Sequence, residues 1–264
     1  MKKIMELQTV QVSAIKNLFE SLKEILAETN MEISKKGIKI NAMDPSLVIF
    51  SHLFLDANKF EKYVCNETIM VGINMINFFK LIKTVVNNDT LTIYIDSDNR
   101  DKINIEILSA EYNSTTRYVL NTIDIDEGCV SANPSDYNLV ITMPSHQFQK
   151  VCREANNISD KIEIKSIGKQ LIFSCDGDFA SQETIYAQKN NDDGLIFECT
   201  DDSIDTTVVQ GYFLLKYLIL FSKCTSLCPN IKLYLGNAKP LVIEFSVGTI
   251  GTLTLVIAPH TDSM

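Results

Sequence analysis

One pattern of periodicity is written twice along this chain, and it limits the fold more than any single motif. Residues 13–26 place Ala14, Ile15, Leu18, Phe19, Leu22, Ile25 and Leu26 on one helical face, with Lys16 and Lys23 opposite. Strand signals follow at 31–34 and 37–41. In the second half Phe148, Val151, Cys152 and Ala155 mark an apolar face, with Lys150 and Arg153 away from it, and the alternating runs 161–165 and 170–175 come next. A second helix also recurs. The apolar stretch 72–86 carries Lys80 and Lys83 and leads through Asn87-Asn88-Asp89 to a strand at 91–95. Its counterpart, 212–223, carries Lys216 and Lys223 and leads through Pro229-Asn230 to a strand at 231–235. Apolar residues ring that last segment nearly all round. Alternating strands at 102–108 and 241–247 continue each half.

Helix, strands, helix, strands, stated twice, predicts an α+β chain of two similar domains, each with helices on one face of antiparallel sheets. Residues 121–136 are acidic and aperiodic and contain Gly128 and Pro134, so they read as a connector. The expected division is therefore residues 1–120, a connector at 121–136, and residues 137–264.

Charge is distributed unevenly over this plan. The segments 13–26, 74–86, 145–156 and 212–223 carry 0, +2, +1 and +2, so the rest stands at −14 in a chain of net charge −9. Each basic pair is spaced by three or seven residues, which puts both charges on one side of a helix. An acidic body with basic helices fits a surface kept for a polyanion; the plainer reading is ordinary solvation of helix faces. The basic faces are mostly Lys, which suits sequence-independent phosphate contact better than base readout.

Several chemistries find no support. Phosphate-binding loops, dinucleotide fingerprints, zinc-protease and serine-hydrolase motifs are missing from the sequence. His52, His146 and His260 form no pattern. The acidic groups Asp96–Asp98, Asp192–Asp193 and Asp201–Asp202 read as solvated loops. Seven scattered cysteines argue for a reducing compartment over a disulfide framework. Cys224 and Cys228 read as small core residues, because no second pair completes a zinc site. No apolar run reaches the ~18 residues of a membrane span. The opening Met-Lys-Lys-Ile-Met-Glu has no long apolar segment of the signal-peptide kind. No enzyme activity, metal or cofactor is expected.

Specific segments add a resemblance. Gly37-Ile-Lys-Ile-Asn-Ala-Met-Asp-Pro-Ser-Leu-Val48, with Leu53, Leu55 and Phe60, resembles the first motif of sliding clamps of the proliferating cell nuclear antigen type. Tyr63, Cys65 and Gly72-Ile-Asn-Met-Ile-Asn-Phe-Phe-Lys80-Leu-Ile-Lys83 resemble the second. Tyr137, Met143-Pro-Ser145, Phe148, Val151-Cys-Arg-Glu154, Lys239-Pro-Leu-Val-Ile-Glu244 and Ala258-Pro259 extend the likeness in order over about residues 5 to 260. Departures lie at Pro45 and Leu47, and at Val64, Asn66 and Glu67 around Cys65.

This resemblance implies a non-enzymatic DNA sliding clamp and polymerase processivity factor, built as a closed head-to-tail homotrimer with helices lining the hole. It implies duplex-DNA contact by Lys16, Lys23, Lys80, Lys83, Lys150, Arg153, Lys216 and Lys223. It implies a partner-peptide groove at Met43, Leu47, Val48, Ile125, Val130, Pro240, Ile257, Ala258 and Pro259. A subunit seam would join strands near 112–120 and 179–187, with Tyr118, Leu120 and Ile185. DNA polymerase, a clamp loader, a flap nuclease and a ligase would be partners, in the nucleus or, for a viral protein, at a cytoplasmic replication site. Two alternatives stay open: a monomeric or dimeric processivity factor that holds DNA by charge, and an interaction scaffold without DNA binding.

Overall fold

The computed structural model describes residues 2–126, 137–188, 194–199 and 208–260. The chain folds as two compact units. One comprises Met1–Leu47, Ser51–Ser131 and Ser246–Leu253, the other Val48–Phe50, Ala132–Phe245 and Thr254–Met264.

The first unit contains β1 (Lys3–Thr9), α1 (Val12–Leu22), β2 (Glu28–Ser34), β3 (Gly37–Met43), most of β4 (Ile49–Asp56), β5 (Lys62–Cys65), β6 (Ile69–Asn74), α2 (Met75–Ile82), β7 (Asp89–Asp96), β8 (Asn99–Ser109) and β9 (Ser114–Asn121). Five strands form an antiparallel sheet in the order β5-β1-β7-β8-β9, and β3, β2 and β6 form a second ladder. The inward residues of these strands include Met5, Leu7, Leu91, Ile95, Ile103 and Ile105. Those of the helices are Ile15, Leu18, Phe19, Leu22, Phe78 and Ile82, all buried. Each such side chain contributes roughly 1.5–3 kcal/mol by leaving water. The rings of Phe19 and Phe78 lie 4.4 Å apart and join α1 to α2.

The second unit repeats this order with β10 (Leu139–Pro144), α3 (Ser145–Ala155), β11 (Lys161–Ile167), β12 (Gln170–Asp176), β13 (Ser181–Ala187), β14 (Ile196–Cys199), β15 (Val208–Leu214), α4 (Leu215–Ser222), β16 (Asn230–Leu235) and β17 (Leu241–Val247), whose last two residues fall in the first unit. A final strand, β18 (Gly251–Ile257), begins in the first unit and ends in the second. One sheet runs β13-β12-β11-β15, and β14, β10, β16 and β17 form another ladder. Phe148, Val151, Cys152 and Ala155 of α3 and Leu215, Leu218 and Phe221 of α4 are buried. The Gln149 side-chain amide donates to the Ser222 carbonyl at 2.8 Å, so α3 and α4 are tied as well as packed.

All four expected helices are present but shorter than periodicity indicated. The 13–26 segment is helical only to Leu22; Ile25 and Leu26 stay buried in the turn that follows, so the apolar spacing outlasts the helix. Residues 72–74 and 212–214 belong to β6 and β15, which run directly into α2 and α4. Asn74 manages one of these junctions: its side chain accepts from the Asn77 N–H at 3.0 Å, an N-cap that stops the strand and starts the helix. Strands β1, β4, β10 and β18 were not separately anticipated, because their apolar residues resemble any buried segment.

Gly72 has a structural duty. A Cβ there would sit 2.1 Å from the Ile123 carbonyl oxygen, in a place where the Ile123 N–H donates to the Gly72 carbonyl at 3.0 Å. The Asn30 amide donates to the Ile125 carbonyl at 2.9 Å. Together they hold the start of the expected connector, of which residues 127–136 lie outside the described structure. Gly72→Ala therefore forces backbone apart, and we expect it to destabilise the unit by about 2 kcal/mol or more. Chemical denaturation checks this; an unchanged midpoint would show that the crossing segment shifts freely.

Candidate nucleic-acid interface

Within each unit two helices lie side by side with their apolar faces inward, so their polar faces form one surface. In the first unit that surface carries Lys16 from α1 with Lys23 at its C-cap, and Lys80 from α2 with Lys83 at its C-cap. In the second it carries Lys150 and Arg153 from α3, Lys216 from α4, and Lys223 at the start of the following 3-10 turn. Six of the eight side chains are exposed: Lys80, Lys83, Lys150, Arg153, Lys216 and Lys223. Lys16 and Lys23 are half-buried. His146 is exposed four residues before Lys150 and seven before Arg153, on the basic side of α3, where its spacing in the sequence already put it as a surface histidine.

The partners of these cations differ. Lys150 stands 3.8 Å from Glu154, a loose surface pair worth about 0–1 kcal/mol. Lys216 lies 4.7 Å over the Tyr217 ring. The Lys23 ammonium meets Glu24 at 2.6 Å and the Phe79 ring at 5.1 Å, and Lys16 donates to the Val85 carbonyl at 3.4 Å.

The two strands expected at a subunit seam, near 112–120 and 179–187, correspond to β9 and β13, and each is the last strand of its sheet. Antiparallel pairing alternates between residues that bond to the neighbour and residues whose N–H and C=O point away. The Thr122 N–H donates to the Asp101 carbonyl, which places the β8-bonded positions of β9 at 114, 116, 118 and 120. The backbone groups of Thr115, Arg117, Val119 and Asn121 therefore face the open edge. By the same alternation, Gln188 to Lys169 and Gly177 to Ala180 leave Ser181, Glu183, Ile185 and Ala187 facing outward on β13. Tyr118 and Leu120 thus spend their backbone groups inside the sheet, whereas Ile185 presents its own. Exposed apolar side chains gather beside these edges: Tyr112 and Phe179 are 73% and 77% exposed, with Val119 and Ile185 above half.

The family is evident in comparison with known proteins. The proliferating cell nuclear antigen N-terminal domain matches residues 4–129, and the C-terminal domain matches residues 132–260. A probable DNA polymerase sliding clamp 1 of Paramecium bursaria Chlorella virus 1 is 34% identical over 260 residues, spanning 97% of both chains. The chain belongs to the proliferating cell nuclear antigen family. The proliferating cell nuclear antigen of Dictyostelium discoideum is 29% identical over 257 residues, 97% of this chain and 99% of its own. The crystal structure of proliferating cellular nuclear antigen from Entamoeba histolytica aligns with a TM-score of 0.88 at 25% identity, covering 98% of this chain and all of that one.

The turn after β3, which holds Pro45 and Leu47, has a defined local geometry. Asp44 is buried, and its carboxylate accepts from the Ser46 N–H and hydroxyl, while the Leu47 N–H donates to the Asp44 carbonyl at 2.9 Å. Leu47 adopts a left-handed φ of 57° and is 74% exposed, a conformation that costs a non-glycine residue roughly 1–2 kcal/mol. Met43, Val48 and Ile125 are half-buried. In the second unit Pro240 and Ala258 are exposed and Pro259 is half-buried, whereas Ile257 is 1% exposed and belongs to the core. The Tyr137 hydroxyl donates to the Pro240 carbonyl at 2.7 Å. Val130 lies outside the described residues.

The remaining reactive groups are poorly placed for chemistry. Burial pushes the thiols of Cys65, Cys152 and Cys175 up, away from the thiolate a nucleophile needs. Cys224 and Cys228 are buried and belong to the core, with no disulfide between them. Burial and then Lys39 push the His52 ring down. Among the described residues no group of three His, Cys, Asp or Glu side chains could hold a metal ion. Asp96 and Asp98 flank the turn after β7, with Asp98 accepting from the Ser97 hydroxyl; Asp192–Asp193 and Asp201–Asp202 lie outside the described residues.

Proposed function

We propose that this sliding clamp closes as a head-to-tail homotrimer around duplex DNA and tethers DNA polymerase, and with it a flap nuclease and a ligase, without catalysing a reaction itself. The observation that carries this reading is the paired-helix surface of each unit, where Lys and Arg stand exposed in a chain of net charge −9. Exposed, mostly lysine cations give loose phosphate contacts that do not depend on sequence, and loose contacts permit sliding. The acidic remainder disfavours DNA elsewhere on the molecule. A clamp loader would open the ring, and the site of action would be the nucleus or, for a viral protein, a cytoplasmic replication site. The division into residues 1–120, a connector at 121–136 and residues 137–264 belongs to the same proposal.

The two open edges support ring closure. An unpaired strand edge invites pairing, and β9 and β13 are different edges, so joining one to the other makes a heterologous contact that propagates until it closes. Ile185→Pro removes an outward N–H and leaves the bonds to β12 untouched. We expect the wild type to have a mass near three times 29.7 kDa and the variant to dissociate at micromolar concentration. Light scattering decides this, and a variant that stays trimeric on dilution would place the seam elsewhere.

For DNA, replacing Lys80, Arg153 and Lys216 together by Glu should abolish stimulation of a polymerase on long circular templates. These side chains face away from the apolar sides of their helices, so folding should survive. Normal processivity in that variant would favour a scaffold without DNA binding.

Partner peptides are expected to dock over Met43, Leu47, Val48, Ile125, Pro240, Ala258 and Pro259, with Val130 in the connector and Ile257 as support. Short helical turns with apolar and aromatic anchors suit such a surface. An unpaired carboxylate among those anchors loses hydration without recompense. Met43→Asp should therefore reduce the affinity for a polymerase tail peptide at least tenfold while leaving the oligomer intact; equal affinity by fluorescence titration refutes the assignment.

A further inference from the structure

The four basic pairs are not equivalent. Both lysines of α1 are directed at their own unit. The Lys16 ammonium donates to the carbonyl of Val85, in the turn that closes α2, at 3.4 Å. The Lys23 ammonium sits 5.1 Å over the ring of Phe79, a residue of α2, and contacts Glu24 at 2.6 Å. The Lys23 side chain is 22% exposed, against 70% for Lys150. Glu20 is exposed on α1 and Glu24 is exposed just past its C-cap, whereas α2 carries no acidic residue. A phosphate approaching α1 would therefore meet half-buried, already engaged ammonium groups beside exposed negative charge. On α2, Lys80 and Lys83 are exposed with no ion pair among the described residues.

We propose that Lys16 and Lys23 are struts that hold α1 against α2, and that the DNA contacts of the first unit are carried by Lys80 and Lys83 of α2. The phosphate-contacting set is then Lys80, Lys83, Lys150, Arg153, Lys216 and Lys223. The duplex-facing charge of the first unit lies along α2 alone. In the second unit it is shared by α3 and the α4 region. The cation–ring and cation–carbonyl contacts of α1 supplement the Phe19–Phe78 contact that already joins the two helices. The inference rests on the reading of these helices as the duplex-facing elements.

Matched double variants test it in the full-length protein. Lys16→Met/Lys23→Met and Lys80→Met/Lys83→Met each remove two charges and keep the apolar stems. Two readouts are taken: the melting temperature, and the salt dependence of binding to a 30-base-pair duplex by fluorescence anisotropy. Each lost phosphate contact lowers the slope of log K against log salt by about 0.9. The α2 variant should lose about 1.8 in slope for each subunit that touches the duplex, up to about 5.4 for a trimer, and keep its melting temperature. The α1 variant should keep its slope and melt roughly 3 °C lower or more. Lys16→Arg/Lys23→Arg, which restores both cations, should recover the melting temperature.

An α1 variant that loses as much slope as the α2 variant, or that melts with the wild type, overturns the proposal. If neither pair alters the slope, the helices are not the DNA surface and that broader reading falls; the melting data then decide the strut role separately. Should the α1 double variant not fold, the single Lys16→Met variant replaces it, with the same two readouts.

Discussion

The close apolar contact between two short helices and the sheet beneath them governs this molecule. Phe19 against Phe78 in one unit, and Phe148 with Phe221 buried in the other, settle which side of each helix is lost to the core. Water keeps the opposite sides, and those carry the cations. Because β6, β10 and β15 run into α2, α3 and α4 without a loop, the helix direction follows from the sheet. Rotating one helix by a quarter turn would expose phenylalanine and bury an ammonium, both costly. The position of the charge is thus a consequence of packing.

Backbone accounting explains the edges. Within β9 and β13 every second residue bonds to its neighbour, and the alternate residues face outward. Such an edge is a hazard in an isolated protein and an asset in one that assembles. Exposed Tyr112, Val119, Phe179 and Ile185 lie beside these edges, so apolar surface and outward-facing backbone groups occur together there. In the proliferating cell nuclear antigen family this economy fits a protein made of one repeated plan.

The duplication is closer in architecture than in chemistry. Both units place a helix after their first strand and another after a strand that enters it directly, yet Lys16 and Lys23, on the first helix of one and at its C-cap, are half-buried, whereas Lys150 and Arg153 on the first helix of the other are exposed. The turn after β3 also has its own character, with Asp44 bonding to Ser46 and Leu47 held in a left-handed conformation. These differences fall on surfaces, where substitution costs little, while the buried faces keep their apolar pattern.

The sequence by itself determined the duplicated order of elements, the apolar faces and the basic pairs. Periodicity is a local property, and Leu18, Phe148, Val151 and Cys152 are buried where their spacing placed them. Motif order also sufficed to indicate the family, since those residues stand in fixed succession along the chain. Only the tertiary structure decided where the helices end, because Ile25 and Leu26 remain buried beyond the last helical turn and periodicity cannot register the change. It also decided that Ile185 directs its backbone outward while Tyr118 does not, a matter of ladder phase between distant strands. Finally, it decided that Lys16 and Lys23 turn toward Val85 and Phe79. Those partners lie more than fifty residues away, and spacing within one helix carries no information about what stands across from it.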